Sequence, residues 1–126
     1  MPDADTPASH EHVTRRFAAA CETGDVAALV AVLAADAVAV CDGGGKIRAP
    51  VHPIHGAYEV ALLVDALLTG RSDAVLTVEA VNGRAGLTLR RAGTAVAAVS
   101  VGVAGTEVTA VWIVLNPDKL RGWHRR

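Results

Sequence analysis

The chain has 126 residues, of which 52% are hydrophobic and 20% charged, and its formal charge is −1. A chain of that length is one domain that buries about two-thirds of its unfolded surface without staples, and the near-neutral charge gives no overall pull toward nucleic acid or an anionic membrane. No apolar run reaches the ~18 residues of a membrane span, and the N-terminus is acidic and polar rather than a signal peptide, so the expected address is the cytoplasm.

Residues 1–8, rich in Pro and Asp, are expected to be loose. From Ser9 a helix is predicted, with Val13, Phe17, Ala20 and Cys21 recurring at helical spacing; its start only loosely resembles a capping box, because His12 stands where Glu would close it. Gly24 ends this helix, Asp25 caps the next, and Val26, Leu29, Val30 and Leu33 form the second apolar stripe. Residues 37–41 read as a short buried strand running into a glycine cluster. A third helix over residues 57–68 is apolar nearly all round, with only Tyr58, Glu59 and Asp65 polar, and should be covered on more than one side.

Beyond Ser72 the period changes to two. Residues 73–81, 86–91, 95–103 and 107–115 are β-rich runs separated by Asn82-Gly83, Ala92-Gly93 and Ala104-Gly105, which are hairpin signals. Leu87 and Leu89 alternate with Thr88 and Arg90, as in a half-exposed strand. The order predicts one α+β domain over residues 9–120, with helices against one face of a curved antiparallel sheet, followed by a basic tail at 121–126. The tail carries Trp123, but cations without a docking element give no case for direct nucleic-acid binding. Only Phe17, Tyr58, Trp112 and Trp123 are aromatic, so the core is built from Ala, Val and Leu, small side chains that can leave a cavity. Cys21 and Cys41 lack metal-type spacing and read as buried thiols in a reducing compartment.

The densest chemistry lies in CDGGGKIRAPVHPIHG, residues 41–56. A phosphate loop of the Walker type needs Ser or Thr after its lysine at a helix start, whereas Lys46 is followed by Ile47, Arg48 and Ala49. A metal site at His52 and His55 is disfavoured, since a separation of three in extended or turn structure points the rings apart. What remains is a turn or bulge that bends the chain or admits a second backbone.

The segments HVTRRFAAACETGDVAALVAVLAADAVAV, DGGGK, HPIHGA, VNGRAGLTLRR and AVWIVLNPDKL together resemble the SnoaL-like domain at the C-terminus of SigJ-type extracytoplasmic-function RNA polymerase sigma factors. The resemblance covers residues 9–120. It implies the cone-shaped α+β fold of the nuclear transport factor 2-like superfamily, whose sheet wraps a pocket, and it implies homodimerisation through the open sheet and no cofactor. Asp42, Gly43, Gly44, Gly45 and Lys46, with Asn116, Pro117, Asp118 and Lys119, match that group's two signature motifs. By resemblance they form a regulatory surface that holds sigma-factor domains. The sequence carries neither of the helical domains that precede this one in those sigma factors, so it is expected to be a free-standing relative or a piece of a longer protein rather than a promoter-reading factor.

Two functions follow. One is a non-catalytic pocketed domain that binds a small apolar ligand or a protein partner, with Phe17, Asp42, His55, Tyr58 and Trp112 around the pocket. The other resembles the ketosteroid isomerases and polyketide cyclases, with Asp42 as general base, its pKa raised by desolvation. Such chemistry needs an oxyanion donor. Phe17 stands where the isomerases carry a tyrosine and donates nothing, leaving His55 or Tyr58. His55 also suits a structural bond at the third helix, while His10, His12 and His124 are expected to be solvated. Trp112 shares a strand face with Val108, Ala110 and Val114 as core or pocket wall, and Asp65, if buried, would need Arg90 or Arg91.

Overall fold

The computed structural model describes residues 7–45, 50, 52–68 and 73–121. Its elements are α1 (Pro7–Thr23), α2 (Val26–Val32), β1 (Leu33–Asp42), β2 (Ile54–His55), α3 (Ala57–Leu68), β3 (Ala74–Val81), β4 (Arg84–Arg91), β5 (Thr94–Ala104), β6 (Glu107–Val114) and α4 (Pro117–Leu120). Lys46, residues 1–6 and the tail beyond Arg121 lie outside the described residues.

α1 starts two residues before Ser9, with Pro7 in the first turn, where its missing N–H removes no helical bond. The buried residues His10, Val13, Thr14, Phe17, Ala18 and Cys21 keep the three-four spacing of one helix face. His10, expected in solvent, is 2% exposed. Asp25 Oδ1 accepts the Ala27 N–H at 2.9 Å and so caps α2 as predicted. α3 buries Val60, Ala61, Val64 and Leu68 but exposes Tyr58, Glu59 and Leu62, so it is covered along one stripe rather than on several sides.

β1 begins at Leu33, four residues earlier than the pattern indicates. Ala34, Ala35 and Asp36 have little strand propensity. Pairing with β6 overrides it, through an irregular register between Leu33 and Val38. β2 has no counterpart in the sequence pattern: Ile54 and His55 pair antiparallel with Ala39 and Val38. Gly56, at a φ of 99°, donates its N–H to the Ala37 carbonyl at 2.8 Å and accepts the Val60 N–H at 2.9 Å, turning this short edge directly into α3.

The strands lie in the order β2-β1-β6-β5-β4-β3 in one curved, unclosed sheet. It is mixed rather than antiparallel throughout, because β1 and β6 run parallel. The crossover through α3 delivers the chain to the far edge opposite in direction to β1, and three hairpins then reverse it three times, so β6 arrives beside β1 pointing the same way. Helices α1 and α3 fill the concave face, where Phe17, Val60, Val64, Leu87, Val99 and Ile113 are fully or almost fully buried. On the convex face Leu120 packs with Ala95 and Ala98.

Thr88 and Arg90 are buried rather than half-exposed. The Thr88 hydroxyl has no hydrogen-bond partner among the described residues, whereas Arg90 forks onto Glu79 through two bonds of 2.7 Å. Arg91 pairs with Asp73 at 2.9 Å. The two arginines considered for Asp65 are therefore held by carboxylates of the neighbouring strand and its approach. Cys21 and Cys41 are free thiols, the first pushed up to about 12 chiefly by burial. No helix among the described residues is long and apolar enough to cross a membrane.

Candidate functional site

Asp42 ends β1 and Val114 ends β6, and the two are register partners. The Leu115 N–H donates to the Asp42 carbonyl at 2.7 Å, extending the ladder by one bond beyond the sheet. Because these strands are parallel, the glycine motif and the Asn-Pro-Asp-Lys motif leave the sheet side by side.

Each motif then fixes itself locally. Asp42 Oδ1 accepts the Gly44 N–H at 2.9 Å, an Asx turn, and Gly44 and Gly45 have φ values of 64° and 76° that disfavour any side chain. Asn116 Oδ1 accepts the Asp118 N–H at 3.1 Å, with Pro117 in the first turn of α4. The motifs also lock together. A Cβ on Gly44 would overlap the Asn116 side chain, so only glycine permits this approach. Lys119 Nζ donates to Asp42 Oδ2 at 2.6 Å across 77 residues of sequence. Leu120, 1% exposed, anchors the corner to the convex face.

The pair is exposed, with the Lys119 side chain at 63% and that of Asp42 at 35%. The hydrogen bond from Lys119, reinforced by the Gly44 N–H, holds the Asp42 carboxyl below its ordinary range, although partial desolvation opposes this. The corner thus presents a compensated charge pair, a glycine turn and a capped helical turn, all preset. Eight of the nine surface residues named from sequence, all but Lys46, lie at this one corner.

The five residues expected around a pocket are not gathered in the same way. Phe17 lies inside the concave core, while Trp112, 47% exposed, is on the convex face between buried Val111 and Ile113, so the sheet separates the two rings. Tyr58 is 59% exposed, and His55 sits exposed on β2. Of the five, only Trp112 lines either of two grooves that open at the β3–β4 hairpin. Sequence reasoning missed His10 and Arg84 there; a histidine in phase with the buried stripe of α1 was the available signal.

Among solved structures, the extracytoplasmic function sigma factor SigJ of Mycobacterium tuberculosis is 26% identical with a TM-score of 0.66, over 90% of this chain and 45% of that one. This chain therefore spans less than half the length of the sigma factor. A nuclear transport factor 2-like protein of unknown function from Mesorhizobium loti is 18% identical with a TM-score of 0.63, over 92% and 97% of the two chains. A ketosteroid-isomerase-like protein from Kribbella flavida is 14% identical with a TM-score of 0.59, over 83% and 76%. No protein-family model and no curated protein matches the chain.

Proposed function

We propose that this SnoaL-like domain of the nuclear transport factor 2-like fold is a non-catalytic docking module, whose partner surface is the corner where Asp42, Gly43, Gly44 and Gly45 meet Asn116, Pro117, Asp118 and Lys119. The observation that carries this reading is the interlocking of the two motifs on the outside of the molecule, through the Asp42–Lys119 pair and the Gly44–Asn116 contact. A surface already fixed by its own turns and caps loses little conformational entropy on association. The likeness to a sigma factor points to sigma-factor helical domains as the partner, with a regulatory outcome.

The isomerase alternative is less well supported. Proton abstraction beside a carbonyl favours a carboxylate with a raised pKa near an oxyanion donor. Asp42 is lowered instead, and its nearest charged neighbour is a cation.

The test is calorimetric titration of the chain with the two helical domains of an extracytoplasmic-function sigma factor. Saturable binding is expected, weakened about 10- to 100-fold by Lys119→Ala, since losing one charge-assisted contact is worth roughly 1.5–3 kcal/mol. Absence of binding, or binding unaffected by both Lys119→Ala and Asn116→Ala in folded variants, overturns the proposal. Carbonyl isomerisation abolished by Asp42→Asn would establish the alternative in its place.

A further inference from the structure

Strands β4 and β5 part company at one end. Their pairing runs from Arg91 opposite Thr94 to Leu87 opposite Val99 and then stops, although both strands continue. The next two rungs would set Gly86 against Ser100, where a Cβ on Gly86 would still press on the Val99 carbonyl, and then Ala85 against Val101. Instead the Val101 carbonyl accepts the Nε2–H of His10 at 2.8 Å, so a side chain from α1 takes the place of the missing strand. The split leaves a groove of about 540 Å³ between α1 and the β3–β4 hairpin, with Val78, Ala80 and Ala85 in its wall. A second groove of about 280 Å³ reaches Ser100 and Trp112, and both grooves share His10, Arg84 and Ala85.

The charges around this opening are compensated except for one. Glu11 pairs with Arg15 at 3.1 Å and Glu79 with Arg90 at 2.7 Å. Arg84 is exposed where the two grooves meet and forms no ion pair among the described residues. The volume falls in the range of small-molecule sites, which combine apolar walls with a few placed polar groups. A guanidinium without a partner favours a planar, bidentate anion.

We propose that the β4–β5 split binds a small amphipathic monocarboxylate. Arg84 forks onto the carboxylate, and the apolar body lies along Val78, Ala80 and Ala85. None of Arg84, Val78, Ala80 and Ala85 belongs to the two-motif corner, and the occupancy of this site does not depend on the docking reading.

The experiment is amide shift mapping of the intact chain titrated with decanoate and, separately, with decan-1-ol. Saturable shifts at His10, Val78, Ala80, Gly83 and Ala85 are expected with decanoate. Arg84→Gln should weaken decanoate about tenfold, as loss of a charged hydrogen bond does, with no comparable effect on decan-1-ol. Arg84→Lys should retain part of the affinity, and Ala85→Leu should weaken both ligands by filling the groove. Unchanged shifts across α3 report that each variant is folded. Shifts that do not saturate, shifts centred on Phe17, Val60 and Val64, equal affinity for acid and alcohol, or indifference to Arg84→Gln each overturn the proposal.

Discussion

A carboxylate that removes a proton from carbon works best with a pKa near the operating pH, and burial beside apolar walls is what raises it. Asp42 has a lysine and a backbone N–H on its two oxygens instead. Carboxyl-detected NMR titration should place its midpoint below the ordinary 3.8, and Lys119→Ala should move it back upward. The sign follows from the depression: the pair's contribution to stability is present above the unfolded-state pKa and is lost as pH falls through the folded-state value. Ala92 makes the opposite point about local preference. It holds a φ of 53° in the β4–β5 turn, a region that L-residues other than Asn and Asp seldom adopt. Ala92→Asn, which would match the Asn82-Gly83 turn, should stabilise the protein by about 0.5–1 kcal/mol in urea unfolding.

At the scale of elements, what could be read depended on whether the signal was local. The helix stop at Gly24, the cap at Asp25 and the hairpin turns at Asn82-Gly83 and Ala92-Gly93 are encoded within a few residues and formed as read, while the third turn falls one residue later than Ala104-Gly105, at Gly105-Thr106. Start positions slipped where tertiary pairing overrode propensity, as when the pairing of Leu33 with Val108 of β6 carried β1 back across the irregular stretch Ala34, Ala35 and Asp36. His10 was misjudged because proximity to the N-terminus suggested solvent, whereas its helical phase placed it against an unpaired carbonyl. Helix α4 was unreadable as a helix because it is a single turn; it persists through the Asn116 cap and the burial of Leu120. Leu120→Ala should therefore cost about 2–4 kcal/mol, within the range for a buried leucine. Hydrogen exchange should show faster exchange at Asp118 and Lys119 than in the central strands.

For the whole molecule, the fold class and the two motifs were legible, but the parallel union of β1 with β6 was not, since hydrophobic alternation carries no information on a partner's direction. That same union leaves a convex face on which Val40 and Trp112 are exposed side by side as register partners. The expected homodimer would cover this face. Light scattering at micromolar concentration should then give twice the chain mass, and Trp112→Glu should give the monomer, because a charge at the centre of an apolar contact disfavours association. A monomeric parent chain would remove the dimer without touching the corner.

The corner also has a consequence in time. Its glycine half is made before its Asn-Pro-Asp-Lys half, and although each sets its own turn, the joined surface exists only when both are present, because Gly44 rests on Asn116 and Lys119 reaches back to Asp42. A ribosome-bound chain lacking β6 would show no such surface, however well its helices had formed. Any partner that recognises the finished corner thereby checks that this domain has been made through β6 and closed upon itself before engaging it.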